Sequence, residues 1–154
     1  MQIDAKKLEE LARVGGETFY ILDTVRFREN FLNLVGAFRS IYPNSNIAYS
    51  YKTNYTPRLC KIVDELGGYA EVVSDMEYEL ALRVGVSPEK IMFNGPYKNP
   101  VAVEKLLLSG GTVNLDNIEE LKVISDIIDR NPTAKLHIGV RCNFVIGDGV
   151  LSRF

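Results

Sequence analysis

The residues Asn46-Ile47-Ala48-Tyr49-Ser50-Tyr51-Lys52-Thr53-Asn54 read as a short β-strand that ends on a lysine and runs into a turn. Tyrosines and an isoleucine alternate with small residues through its centre, and polar turn formers bound it on both sides. Successive side chains of a strand point to opposite faces. Ala48, Ser50 and Lys52 therefore share one face, and Ile47, Tyr49 and Tyr51 share the other. Small residues lead up to a single lysine at the strand's carboxyl end, the end at which α/β proteins build their sites. A surface lysine closing a strand has the same local sequence, so the meaning of Lys52 depends on what surrounds it.

Downstream of this strand one unit repeats. Thr56-Pro57 opens a helix with Leu59, Ile62, Val63 and Leu66 on one face, and Gly67-Gly68 stops it. A strand follows at 69–73. Ser74-Asp75-Met76-Glu77 is a capping box that starts a helix ending near Gly85. Strand 91–94 comes next, then a helix capped by Asn99-Pro100 and closed at Gly110-Gly111, then strand 112–115. A second capping box, Asp116-Asn117-Ile118-Glu119, opens a helix to about Asp129, and 135–141 is one more strand. Upstream, 1–16 reads as a short polar helix with Leu8, Leu11 and Val14 on one side. Residues 18–22 read as a first strand. Asp23-Thr24 caps a long helix carrying Phe27, Phe31, Leu34, Val35 and Phe38.

Strands that recur every 20–24 residues, each followed by a helix, predict a parallel sheet. Gly67-Gly68 and Gly110-Gly111 end helices and precede strands, the wrong place for the phosphate cradle of a dinucleotide fold. The near-constant unit length favours a (β/α) barrel of the TIM type. A closed barrel needs eight units and about 250 residues, and these 154 residues supply about five. The expectation is an α/β chain forming a partial barrel, short of closure.

A net charge of −2 argues against a nucleic-acid or anionic-membrane partner, both of which usually need a basic face. No apolar run approaches the length of a membrane span, and 1–7 lacks the apolar core of a signal peptide. Cys60 and Cys142 are too few and too unpatterned for a disulfide scaffold or a zinc site, and suit a reducing cytoplasm.

Polar residues gather at the strand ends: Lys52 and Asn54, Glu71 and Ser74, Asn94, Asn114 and Asp116, Arg141 and Asn143. With inward-facing parity, Lys52, Glu71 and Arg141 converge at the carboxyl-end mouth. Such a trio can be a structural ion-pair cluster. It can also be chemical: a partly buried lysine has a lowered pKa, and its neutral amine forms a Schiff base with an aldehyde. Arg141 would push that way and Glu71 would oppose it. Alternatively, Glu71 pairs with Arg141 and holds it against a cofactor oxygen.

Tyr51-Lys52-Thr53-Asn54 resembles the strand end around the cofactor lysine of the fold-type III pyridoxal phosphate-dependent decarboxylases, relatives of alanine racemase. The order of the motifs supports this. Gly68-Tyr69-Ala70-Glu71-Val72-Val73-Ser74 resembles the next strand of that family, and Glu77-Tyr78-Glu79-Leu80 with 85–91 resembles the helix and turn after it. Asn114-Leu115-Asp116-Asn117-Ile118-Glu119-Glu120-Leu121, Gly139-Val140-Arg141-Cys142-Asn143 and Leu151-Ser152-Arg153-Phe154 are similar to its later segments.

The resemblance implies an amino-terminal portion of such an enzyme, with pyridoxal 5'-phosphate carried on Lys52 and with Glu71 and Arg141 beside it. It implies an amino-acid substrate, diaminopimelate-like by overall similarity, and a homodimer in the full-length protein. The alternatives are an ornithine, arginine or lysine decarboxylase, a racemase, or a non-enzymatic regulatory homologue. Glu71 stands where the family usually has aspartate, and 18–22 would join a β-domain formed by the carboxyl-terminal half. The family's ring-stacking histidine, phosphate loop and general-acid cysteine come later than Phe154, and neither His137 nor either cysteine matches them. Lys98 reads as a solvated loop lysine. The chain by itself is expected to bind the cofactor weakly, to be inactive, and to associate through its open sheet.

Overall fold

The computed structural model describes residues 4–16 and 18–142, which form two compact units, one up to Ser45 and one from Asn46 onward. The first contains α1 (Ala5–Gly15) and α2 (Thr24–Arg39). Both begin on an aspartate that satisfies an otherwise unpaired helix amide: Asp4 accepts from Lys7 N–H and Asp23 from Arg26 N–H. The apolar stripe of α1 forms as the sequence implies, yet none of its residues is buried. On α2 only Phe31 and Val35 are buried. Residues 18–22, expected to join a β-domain formed by the carboxyl-terminal half, pair with nothing in this sheet. The segment takes no helix or strand form and is not part of the sheet, and Tyr20 is fully exposed. Its aromatic and aliphatic residues satisfy strand propensity, but a strand forms only against a partner backbone, and the expected partner is not among these residues.

The second unit alternates β1 (Ala48–Ser50), α3 (Pro57–Glu65), β2 (Tyr69–Val72), α4 (Asp75–Arg83), β3 (Ile91–Phe93), α5 (Pro100–Leu108), β4 (Thr112–Leu115), α6 (Glu120–Arg130) and β5 (His137–Val140). The strands form one parallel sheet in the order β1-β2-β3-β4-β5. The sheet is open among the described residues, as a partial barrel requires. Asn143 and the 151–154 motif lie outside the described residues.

Strand parity sorts the two faces. Ala70 and Val72, Ile91 and Phe93, Val113 and Leu115 are buried in one cluster with Cys60, Tyr78, Leu106, Leu107, Ile124 and Ile127 from the four helices. This is the core. The opposite face carries Ser50, Glu71, Met92, Thr112 and Asn114, which the register aligns in rows across the strands. This face is largely polar, Met92 excepted, in contrast to the apolar core side.

Tyr51 and Cys60 lie on the core side, directly behind the lysine turn, each 1% exposed. Burial pushes both the Cys60 thiol and the Tyr51 hydroxyl above their ordinary ranges, and their mutual contact adds to the rise for Tyr51. Groups that hold their protons more tightly when folded stabilise the protein fully below their unfolded values, about 8.5 for cysteine and about 10 for tyrosine. That contribution is lost as pH rises through the folded values. Stability is therefore expected to hold up to about pH 8.5 and to decline above it. A maleimide at pH 8 should modify exposed Cys142 and spare Cys60. Rapid labelling of both thiols in the native protein would contradict this.

Candidate active site

The strand that carries Lys52 is shorter than the sequence suggests. It stops at Ser50, and 51–53 form a turn closed by Thr53 N–H to Ser50 C=O. The ladder continues one residue further, because Tyr51 N–H donates to Glu71 C=O at 2.9 Å. Tyr51 is thereby fixed on the core side, and Lys52 turns to the polar face at the carboxyl edge. At the far side of the sheet, Arg141 N–H donates to Leu115 C=O, so the backbone of Arg141 extends β5 past its assigned end.

Lys52, Glu71 and Arg141 line one cavity of about 380 Å³ together with Val73, Gly95, Pro96 and Asp116. The volume falls within the range of small-molecule sites. The structure thus brings together all three residues singled out from the sequence. It distributes their partners differently. Arg141 is engaged through Nε by the Asp116 carboxylate, whose side chain is 9% exposed. Glu71 does not pair with Arg141. Its Oε1 accepts from Asn94 Nδ2 at 2.9 Å. Lys52 stands exposed at the mouth of this open cavity rather than partly buried. Gly95 adopts φ 101°, and a Cβ there would press on the Val73 carbonyl, so only glycine lets this wall of the cavity close against β2.

Asp116 stands at a strand end in the sequence and reads there as a helix cap. In the structure α6 starts after Glu119, and the side chain that bonds its first amide is Asn117, one residue on from Asp116. Asn117 Oδ1 accepts from Glu120 N–H, and Glu120 Oε2 accepts from Asp116 N–H at 2.9 Å. The Ser74 box works in the same way: Ser74 Oγ accepts from Glu77 N–H, and Glu77 reaches back to Val73 N–H. Shifting the second box frees the Asp116 carboxylate to meet Arg141.

Lys98 is the clearest departure from the sequence reading. It is buried, with its ammonium bonded to Glu120 at 2.9 and 3.0 Å and to Gly95 C=O at 2.6 Å. Asn117 Nδ2 adds a bond to Pro96 C=O at 3.2 Å. The loop after β3 and the start of α6 are thus tied together just behind Gly95, Pro96 and Asp116. The spacing from Lys98 to Glu120 crosses a helix and a strand, so no local pattern announces it. His137 lies exposed at the start of β5, at the opposite end of the sheet from Lys52. Among the described residues no group of side chains could hold a metal ion, and no helix is long and apolar enough to cross a membrane.

Residues 28–149 match the family model described as pyridoxal-dependent decarboxylase, pyridoxal binding domain. Diaminopimelate decarboxylase of Aquifex aeolicus is 32% identical over 145 residues, 92% of this chain and 33% of that protein. Its counterpart in Methanothermobacter thermautotrophicus is 31% identical over 140 residues, 91% of this chain and 32% of that protein. Among solved structures, diaminopimelate decarboxylase of Helicobacter pylori complexed with L-lysine aligns with a TM-score of 0.79 at 30% identity, covering 88% of this chain and 34% of that one. The chain spans about a third of the length of these relatives.

Proposed function

Because the chain belongs to the pyridoxal-dependent decarboxylases, whose pyridoxal-binding domain spans residues 28–149, we propose that Lys52 is the attachment point for pyridoxal phosphate in an amino-acid decarboxylase. We take its substrate to be diaminopimelate or a close analogue. The observation that carries this reading is the clustering of the Lys52 amine with Glu71, Asp116 and Arg141 in one cavity at the carboxyl ends of the strands. The donor set suits the cofactor and an amino-acid substrate: an amine for the aldehyde, a guanidinium for a ring oxygen, and the Glu71 carboxylate for an N–H group of the substrate. The choice of substrate draws on the two relatives named above, both diaminopimelate decarboxylases.

When bound, pyridoxal phosphate supplies the electron sink that lets a Cα–carboxylate bond break. The chain's residues do the rest. Lys52 would hold the cofactor through its amine, and at the cavity mouth its Nζ would be placed to take up or give back a proton. Asp116 engages Arg141 through Nε and would hold the guanidinium at the cavity wall. Val73, Gly95 and Pro96 line one wall of the cavity and would limit water on that side of a bound ligand. Dimerisation of the complete protein belongs to the same proposal.

The test is to express the complete reading frame that encodes this chain, add pyridoxal phosphate, reduce with borohydride and map the modified residue. Label on Lys52, with carbon dioxide released from diaminopimelate, is the expected result. A folded protein with no label would overturn the reading and favour a partner-binding role. The 154-residue chain expressed by itself is expected to bind the cofactor weakly and to release no carbon dioxide.

A further inference from the structure

Glu71 faces the cavity, but the bond that holds it runs sideways along the sheet. An ionised carboxylate can only accept hydrogen bonds. Asn94 must therefore turn its NH2 toward Glu71, and Nδ2 donates to Oε1 at 2.9 Å. Its carbonyl then faces the other way, where Asn114 Nδ2 donates to it at 2.5 Å. Asn114 in turn sends Oδ1 toward β5, into the space that a Cβ on Gly139 would occupy. Asn114 and Gly139 are aligned partners in the sheet, so only the absence of a side chain at 139 admits the amide. One charge thus sets the direction of every bond in a row that crosses three strands.

We propose that Asn94 and Asn114 are positioning residues for Glu71. The row they form, with room left by Gly139, commits Oε1 to the sheet and offers Oε2 to the cavity as a single acceptor. Among the described residues Oε2 has no hydrogen bond. The ligand group that matches one fixed carboxylate oxygen is an N–H donor, such as the ammonium of an amino acid. The identity of that ligand rests on the pyridoxal phosphate reading; the row itself does not.

Two measurements on the protein from the complete reading frame separate these points. The first compares crystal structures of the cofactor-free wild type, N94A and E71D. Glu71 is expected to keep its place in the wild type and to swing away in N94A. The carboxylate of E71D, one methylene shorter, should detach from Asn94. An unmoved Glu71 in N94A, or a carboxylate still bound to Asn94 in E71D, overturns the proposal, whether or not the protein ever takes up pyridoxal phosphate. The second is kinetic. N94A and G139A should each lower kcat/KM roughly tenfold, and N114A about threefold. G139A/N114A should return to the N114A level, because removing the amide removes the clash. Affinity for pyridoxal phosphate should stay within about twofold throughout. Additive losses in the double variant, or parallel losses of cofactor affinity, would show a merely structural role.

Discussion

Lys52→Ala in the complete protein is expected to lower decarboxylation by at least about a thousandfold, in line with the loss of other covalent-catalysis residues. Borohydride should then fix no pyridoxal phosphate to the chain. The protein itself should remain folded. Lys52 is exposed in a turn, its side chain contributes nothing to the apolar cluster, and the neighbouring Tyr51 still anchors the strand end through its backbone bond to Glu71. The check is a pair of measurements on one preparation: carbon dioxide release and the thermal unfolding midpoint. Activity within about tenfold of wild type would remove Lys52 from the mechanism. Loss of activity together with a large fall in the unfolding midpoint would show that the turn, rather than the amine, had failed.

Lys98→Met should cost about 3–5 kcal/mol of stability, the usual cost of removing one partner from a buried ion pair. The side chain of Lys98 is wholly buried, and Glu120 is only 15% exposed. Methionine fills the space but leaves the Glu120 carboxylate and the Gly95 carbonyl without their donor. Glu120 is also the acceptor for Asp116 N–H, so the disturbance reaches the residue that holds Arg141. The companion variant K98M/E120L removes both charges and should recover much of the loss, since an apolar pair of similar volume is often neutral in such a place. Urea unfolding of the complete protein measures both. A change below about 1 kcal/mol for K98M would mean that the pair behaves like an exposed one.

The parts of the fold that were legible in the sequence are those governed by local signals. Asp23, Asn99-Pro100 and Ser74 open helices where their side chains accept a first-turn amide, and that chemistry is readable within four residues. The alternation from Ala48 to Ser50 puts Ser50 beside Glu71 because parity needs no knowledge of the neighbours, and Lys52 in the turn lines the same cavity as Glu71. The failures share a different cause. Lys98 and Glu120, and Asp116 and Arg141, are joined across more than twenty residues, and a lone charged residue in a loop carries no mark of the partner it will meet. The same holds for Gly139, whose missing side chain has meaning only once Asn114 lies beside it. Convergence at the mouth could be inferred; who holds whom could not.

The sheet order has a consequence for the birth of the protein. Each strand pairs with the one made just before it: Ala48 with Tyr69, Ala70 with Ile91, Met92 with Thr112, and Thr112 with His137. These pairings span 20 to 25 residues, and among the described residues no strand waits for one synthesised much later. A nascent chain leaving the ribosome can add units to a growing edge in the order of translation, with small entropic cost at each step. Among the described residues the newest strand is always one open edge and β1 the other, so the aggregation hazard stays at two edges rather than accumulating along the chain.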